Sequence, residues 1–202
     1  VTYMHTRAVL VASACRMWLQ LGHLRLQVSV GFTMATTEAA RRANGTYLLF
    51  LNNDAFVRRH ALRALLHTFS THADVGLVGA KLVGHNDTLQ EAGAILWSGG
   101  TGAWFLKNRQ LRRGRANEGN HRLNYVRETD YVSAACALVP RALFLRNGMF
   151  DLHFSPGYYE DTDLAFTPLW LLGTHRPCLH RAASHFPCWQ HHPRGNHAPR
   201  PT

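Results

Sequence analysis

The chain has 202 residues, 46% of them hydrophobic, which is enough to bury a sizeable core in one globular domain. Its 22 Lys and Arg residues against 12 Asp and Glu give a formal charge of +10, which suits a polyanion, an anionic membrane surface or a phosphate-bearing substrate. The 4 cysteines are too few and too scattered for a disulfide framework, and without a C-x-x-C pair they offer no cysteine zinc site. No apolar run reaches the roughly 18 residues of a transmembrane helix.

The N-terminal segment has two interpretations. Arg7 followed by the small and apolar run AVLVASAC resembles a short secretory signal peptide. We prefer a buried helix, because apolar residues recur there at helical spacing, namely Leu10, Ala14, Met17, Trp18 and Leu21. A helix that packs on the core is therefore expected.

Alternating strands and helices are predicted from residue 24 onward. Leu24 to Val30 alternates apolar and polar residues, the period of a half-buried strand, and residues 34–43 have a helical composition that stops at Asn44-Gly45. The apolar run from Tyr47 to Leu51 predicts a second strand. An amphipathic helix at 59–72 and a buried strand at 75–83 follow. This order predicts a layered α/β fold with right-handed crossovers.

Two amides and an acid follow the strand at Tyr47 to Leu51. Asn52, Asn53 and Asp54 would lie at its carboxyl end, where sheets of this class bind ligands. Carboxylate and amide oxygens suit Mg²⁺ or Mn²⁺. The alternative is a strand-ending turn, which Asn and Asp also favour.

A second acidic group opens a predicted helix after Pro156-Gly157. Tyr158 and Tyr159 precede Glu160, Asp161 and Asp163, and the apolar residues of the helix follow. Acids in a first helical turn stabilise the helix dipole, which is the structural interpretation. A carboxylate at the rim of a sheet can also act as a general base on a hydroxyl group.

Five segments occur in a recognisable order, namely GTYLLFLNNDAFV, DVGLVGAKLV, LQEAGAILW, DYVSAACALVPRALFLRNGMFD and YYEDTDLAF. In order and spacing they resemble the inverting family 2 glycosyltransferases of GT-A fold, within them the rhamnosyltransferase-like branch that acts on bacterial cell-surface polysaccharides. The resemblance covers residues 31–186, the expected transferase core. It implies an α/β fold with a mixed, mainly parallel sheet flanked by helices, incomplete at the N-terminus.

The resemblance implies roles for the polar clusters. Asp54, with Asn52 and Asn53 beside it, stands where the family binds a divalent cation, Mn²⁺ or Mg²⁺, that holds a nucleoside-diphosphate sugar. Asp161 stands at the position of the base that deprotonates the acceptor hydroxyl, and Glu160 shapes the pocket beside it.

Further binding residues are implied around these acids. Trp97, Tyr158 and Tyr159 would offer flat faces to sugars, although such aromatics are more often core, and Asp163 joins this donor and acceptor group. His185 stands near the position of the family's additional metal-ligating histidine, and His180 is the weaker alternative for that position.

The resemblance also implies partners and a location. The acceptor would be a glycan or a lipid-linked saccharide, and nucleic acid is not expected as a partner, because the basic residues lack an aromatic-studded recognition motif. The basic segment at 107–115 is either a solvated loop or a contact with an anionic membrane. The expected location is cytoplasmic, peripheral at the inner face of the cell membrane.

Both ends depart from the family. Residues 1–30 form an atypical segment without the family's nucleotide-recognising residues, and Ala134 replaces a usual glycine. Residues 187–202 belong to a stretch rich in His, Pro and Arg that predicts a disordered tail. A non-catalytic remnant, or a basic module that binds acidic polymers, is therefore the alternative function.

Overall fold

A computed structural model describes residues 12–15, 18–21, 24, 26, 28–72, 75–84, 89–95, 104–105, 125–171 and 180–190. Strands in the first half are β1 (Ala12–Cys15), β2 (Trp18–Leu21), β3 (Tyr47–Leu51), β4 (Ala55–Val57), β5 (Leu77–Val83), β6 (Leu89–Glu91) and β7 (Ala94–Ile95). Strands in the second half are β8 (Trp104–Phe105), β9 (Arg127–Thr129), β10 (Cys136–Pro140) and β11 (His180–Gln190).

The helices lie between these strands. They are α1 (Gly31–Arg42), α2 (Ala61–Thr71), α3 (Arg141–Arg146) and α4 (Glu160–Leu171), and a 3₁₀ turn spans Leu152–Phe154. Within the described ranges, no helix combines the length and the apolarity that crossing a bilayer requires.

Most of the strands join one sheet. Its spatial order is β2-β1-β3-β10-β5-β11-β4, with β6 paired to β5 and β9 paired to β11. β10 lies between β3 and β5 and is antiparallel to both, so β3 and β5 run in the same direction. Their carboxyl ends therefore lie at the same edge of the sheet, which is where the first polar cluster begins.

The expectation of a mainly parallel sheet is wrong for the described strands. β5 and β11 form a parallel pair, whereas the other pairs that these strands make are antiparallel. The connection through α2 does return the chain in the parallel direction, as predicted. The pairing differs because β10 enters between the two parallel strands, so that neither strand is the hydrogen-bonded neighbour of the other.

The core lies on both faces of the sheet. Consecutive residues of a strand point to opposite faces, so Leu48 and Phe50 join one buried cluster and Leu49 joins the other. On the first face the rings of Phe50, Phe144 and Phe150 contact each other with centroids 4.9 to 5.1 Å apart. Burial on both faces explains why β3 reads as a continuous apolar run rather than an alternating one.

Several predicted elements are confirmed. β3 has the predicted bounds, α2 and β5 lie within the predicted ranges, and α1 begins at Gly31, three residues before the predicted start. Gly31 begins the helix with a φ of +79°, a conformation that favours glycine.

Two N-terminal predictions are wrong. Ala12–Cys15 and Trp18–Leu21 form an antiparallel strand pair instead of a helix, while Leu10 and Met17 lie outside the described residues. Among residues 24 to 30, the described ones form no strand, and Val28 is 69% exposed. The physical reason is that β1 and β10 already occupy the two edges of β3.

The prediction of a disordered tail from residue 187 is also wrong for residues 187–190, which belong to a strand. Residues 180–190 form β11, which pairs with β5, β4 and β9, although His, Pro and Arg dominate the surrounding sequence. β11 ends at Gln190, beyond the expected domain boundary at residue 186, and residues 191–202 lie outside the described part of the chain. Sheet pairing in the core outweighs the weak strand propensity of this segment.

Candidate functional site

The Asn-Asn-Asp segment forms a tight turn at the end of β3. The amide of Ala55 donates a 3.0 Å hydrogen bond to the carbonyl of Asn52, which closes the turn and starts β4. Asn53 at the tip is exposed, and Asp54 is half-buried. The turn interpretation of this segment is thus correct, and it leaves the carboxylate of Asp54 at the strand end.

A second turn, Ser133–Ala135, lies beside the first and precedes β10. The amide of Asn52 donates to the carbonyl of Ala135 at 3.0 Å, which joins the two turns. Within the second turn, the amide of Ala135 donates to Ser133 Oγ at 3.2 Å. The carboxyl end of β3 is therefore fixed against this turn by a main-chain hydrogen bond.

The second turn also binds Asp161 in the first turn of α4. The amide of Ala134 donates to Asp161 Oδ2 at 3.2 Å, while the amide of Thr162 donates to Oδ1 at 2.7 Å. Burial raises the pKa of Asp161, and these N–H donors oppose the rise because they stabilise the charged form. Because Ala134 and Ala135 are adjacent, the structure brings together the two polar clusters that the sequence separates by more than a hundred residues.

Glu160 lies next to Asp161 and is only 5% exposed. Its Oε2 atom has no hydrogen-bond partner among the described residues. Burial, together with the negative charge of Asp161, raises the pKa of Glu160 to about 7. Two adjacent carboxyl groups thus share one low-dielectric site, and burial raises the pKa of each above its ordinary value.

Two residues of the site were missed by the sequence reasoning. Glu91 at the end of β6 accepts the amide of Ser133 at 3.0 Å, and Tyr131 is buried nearby at 1% exposure. Burial raises the pKa of Tyr131, and the negative charges of Glu91 and Asp161 raise it further. In the sequence, Glu91 is the single acid of the segment LQEAG, and no second acid or histidine follows at a spacing that would mark a site. No local sequence pattern therefore indicated Glu91.

The loop before α4 is held by the start of α1. The amides of Phe32 and Thr33 donate to the carbonyl of Pro156 at 2.6 and 3.3 Å, and Thr33 Oγ1 donates to the carbonyl of Phe154 at 3.3 Å. These bonds satisfy the first amides of α1 and fix the loop that leads to Glu160. α1 therefore positions the second acidic cluster from outside it.

Tyr158 and Tyr159 project from this loop. Tyr158 is 87% exposed and Tyr159 is 50% exposed, and both have positive φ angles, of +81° and +71°. Such backbone strain in bulky residues costs roughly 1–3 kcal/mol each and concentrates at functional sites. The two rings stand in solvent beside the buried carboxyl groups, an arrangement that suits contact with a ligand more than a role in the core.

Other predicted site residues have a different status. Asp163 is partly buried, and burial together with the nearby charge of Asp151 raises its pKa. Trp97 lies outside the described residues, and of His185 only the backbone within β11 is described. Among the described side chains, no group of three or more His, Cys, Asp or Glu is arranged to hold a metal ion.

The turn nevertheless fits a substrate-bridged cation. Asp54 could supply a hard carboxylate oxygen, and Asn52 and Asn53 could supply amide oxygens from the same turn. Mg²⁺-type sites commonly use one or two carboxylates and complete their coordination with water and substrate phosphates. Such a donor set does not form a closed cage, but it is adequate when a diphosphate supplies the remaining ligands.

The chain is similar to known proteins in part of its sequence and in its fold. No family model matches the chain. The O-antigen biosynthesis protein RfbC of Myxococcus xanthus is 33% identical over 117 residues, which are 57% of this chain and 9% of that protein. The chain thus spans a small part of the length of this relative.

The fold is similar to that of a solved structure of another protein. The crystal structure of GalNAc-T7 with UDP, GalNAc and Mn²⁺ matches with a TM-score of 0.58 at 13% sequence identity, over 83% of this chain and 31% of that one. The chain therefore has the GT-A fold, as its motifs predicted, although its sheet is more antiparallel than expected.

Proposed function

We propose that this chain is a metal-dependent glycosyltransferase of the inverting family 2 type. It transfers a sugar from a nucleoside-diphosphate sugar to a hydroxyl group of a glycan or lipid-linked acceptor. The observation that carries the proposal is the convergence of Asn52 and Asp161 on the adjacent residues Ala135 and Ala134. The relation to an O-antigen biosynthesis protein supports a role in the synthesis of bacterial cell-surface polysaccharide.

Asp161 is the base in this proposal. Its carboxylate takes the proton of the acceptor hydroxyl as the oxygen attacks the anomeric carbon, and the bond from that carbon to the diphosphate breaks on the opposite face. In-line displacement of this kind inverts the anomeric configuration. A pKa raised by burial makes Asp161 a stronger base, while the amides of Ala134 and Thr162 hold it in place.

Asp54 is the proposed metal ligand, with Asn52 and Asn53 beside it and His185 as a further ligand. A bound Mn²⁺ or Mg²⁺ would neutralise charge on the leaving diphosphate. Asp54 lies in the half-exposed turn at the carboxyl end of β3, where a nucleoside-diphosphate sugar can reach it from solvent. The metal found with GalNAc-T7 is Mn²⁺, which makes Mn²⁺ the first ion to test here.

Binding of the acceptor is assigned to the loop that carries Tyr158 and Tyr159 before α4. The exposed rings of Tyr158 and Tyr159, with Trp97 and Asp163, supply stacking faces and a polar group for sugar recognition. Glu160 closes the pocket behind Asp161. A lipid-linked acceptor would place the protein at the inner face of the cell membrane, and the net charge of +10 favours contact with anionic lipid.

Calorimetric titration with nucleoside-diphosphate sugars tests the function. We expect Mn²⁺-dependent binding of a donor by the wild-type chain and at least about a tenfold loss in Asp54→Ala, because the cation bridge is removed. Glu38→Gln on the exposed side of α1 is the matched control and keeps wild-type binding.

Absence of donor binding, or binding that ignores Asp54→Ala, would contradict the proposal. In that case the non-catalytic alternative, a basic module for acidic polymers, becomes the better description. Binding of an acidic polysaccharide that weakens steeply with salt would support that alternative.

A further inference from the structure

Two carboxylates hold two consecutive amides of the Ser133–Ala135 turn. Glu91 Oε1 accepts the amide of Ser133 at 3.0 Å, and Asp161 Oδ2 accepts the amide of Ala134 at 3.2 Å. Glu91 comes from the end of β6 and is 4% exposed, so its carboxylate contacts the turn from within the protein. The turn is therefore a bridge between an acid that the proposed mechanism uses and one that it does not.

We propose that Glu91 is a positioning residue for Asp161. By binding the amide of Ser133, Glu91 fixes the orientation of the turn, and the turn then presents the amide of Ala134 to the carboxylate of Asp161. The inference deepens the proposed function, since Asp161 is the base only if that function holds. In this proposal, Glu91 itself does not contact the substrate.

The other bonds of the turn leave this role to Glu91. Ser133 Oγ accepts the amide of Ala135, the carbonyl of Ser133 accepts the amide of Cys136 at 3.4 Å, and the carbonyl of Ala135 accepts the amide of Asn52. These bonds close the turn and join it to β3, but none of them involves the amide of Ser133. The amide of Ser133 instead donates to Glu91 Oε1. A buried amide that loses its acceptor is costly, so the turn would shift to find another partner. That shift would move the amide of Ala134 away from Asp161.

The electrostatic surroundings of Asp161 must be separated from this positional effect. Among the described residues, the titratable groups other than Asp161 on α4 and its preceding loop are Glu160, Asp163, Tyr158 and Tyr159. From the packed elements, Tyr131 faces Asp161, and Glu91 raises the pKa of Tyr131 through its charge. A substitution that removed both the charge and the reach of Glu91 could not separate the two contributions.

Two conservative substitutions separate them. Glu91→Gln keeps the length and an acceptor oxygen for Ser133, but removes the charge. Glu91→Asp keeps the charge, but its shorter side chain draws the oxygen away from Ser133. If Glu91 acts by position, Glu91→Asp alone weakens the hydrogen bond from Ala134 to Asp161. Loss of an N–H donor disfavours a carboxylate, so the pKa of Asp161 rises in that variant.

The pKa of Asp161 can be measured without any activity. Carboxyl-carbon NMR titration of aspartate-labelled protein, assigned with Asp161→Asn, reports it directly. We expect a rise of about one unit in Glu91→Asp and a value within a few tenths of wild type in Glu91→Gln. Glu38→Asp and Glu38→Gln serve as matched controls on exposed helix surface and leave the pKa unchanged.

The transferase reaction supplies a second readout. In Glu91→Asp the acid limb of the pH–rate profile moves to higher pH by the same amount, with about a tenfold loss of rate below it, whereas Glu91→Gln keeps the wild-type profile. A purely structural role would lower stability in both variants without moving the acid limb.

The outcomes distinguish the two proposals. If wild type transfers no sugar while the pKa of Asp161 responds to Glu91→Asp, the proposed function fails and the positional coupling stands. If wild type is active and the pKa is unchanged in Glu91→Asp, or rises equally in Glu91→Gln, the inference is overturned. Should Glu91→Asp not fold, amide exchange in wild type decides, because independent opening of the Ser133 and Ala134 amides would also overturn it.

Discussion

Asp161 and Glu160 are adjacent acids in one buried turn, and their surroundings divide their chemistry. Asp161 receives N–H donors from Ala134 and Thr162, which favour its charged form. Glu160 receives no donor at Oε2 from the described residues, and its pKa rises to about 7. Asp161 is therefore held by main-chain donors on both carboxylate oxygens, whereas Glu160 keeps one buried oxygen without a hydrogen-bond partner among the described residues.

The substitution Asp161→Asn tests the proposed role of Asp161 as the base. The amide keeps the size of the side chain but cannot take a proton, so we expect transfer to fall by about 10²-fold or more while donor binding remains at the wild-type level. Transfer assays with donors bound in calorimetry measure both quantities. Transfer at the wild-type rate would remove Asp161 from the role of base.

The raised pKa of Glu160 predicts that the free energy of unfolding depends on pH. Its pKa is raised in the folded state from the ordinary 4.5 to about 7, so the folded chain keeps a proton that the unfolded chain loses in this range. The free energy of unfolding should therefore fall as pH rises from about 4.5 to about 7, because ionising Glu160 opposes folding.

Urea unfolding of Glu160→Gln at about pH 5 and about pH 8 measures this contribution. We expect a smaller difference between the two pH values in the variant than in wild type, with Glu38→Gln behaving as wild type. An identical difference in all three proteins would show that Glu160 ionises normally in the folded chain.

At the scale of elements, the start of α1 and the loop before α4 form one unit. The amides of Phe32 and Thr33 both bind the carbonyl of Pro156, and Gly31 lies so close to Pro156 that a Cβ atom would stand 2.5 Å from Pro156 Cβ. The strain at Tyr158 and Tyr159 is maintained by this attachment, since a loop free of α1 could relax the two positive φ angles. The position of the exposed Tyr158 and Tyr159 rings thus depends on a helix outside the acidic cluster.

Gly31→Ala should detach the loop. The substitution introduces both a strained φ and a steric overlap with Pro156, so we expect a loss of roughly 3 kcal/mol or more in the free energy of unfolding. Gly148→Ala is the matched control, because Gly148 has a similar φ of +85° and nothing within 4 Å of the added Cβ. It should cost about 1 kcal/mol, the strain alone.

Denaturant titrations of the two variants provide the comparison. A larger loss in Gly31→Ala supports the contact with Pro156 as a clamp on the loop. Equal losses in the two variants would mean that the loop moves aside without cost.

At the scale of the whole molecule, sequence patterns predicted the elements whose signals are local. The apolar run of β3, the helical spacing of α2 and the acids of α4 each carry their own evidence, and the likeness to GalNAc-T7 confirms the fold that they indicated. The strands β1, β2 and β11 were missed because their identity comes from partners distant in the chain rather than from composition.

The site followed the same division. Asn52, Asp54 and Asp161 were visible as polar residues at the ends of regular elements. Glu91 and Tyr131 were not, because their importance arises only where the turn at Ser133 brings β6 and α4 together. A side chain defined by what it contacts across the fold leaves no period or motif in the sequence.

The position of β10 at the centre of the sheet has a consequence for how the chain acquires its structure. β10 joins β3 and β5, yet Cys136 pairs with Leu51, so these central strands close only through contacts between remote parts of the chain. Contacts of high sequence separation slow folding, because a large loop must close before they form. On a ribosome, β3 and β5 would emerge well before their common neighbour. Until then each strand has an edge that lacks its final partner, and such edges are prone to non-native pairing.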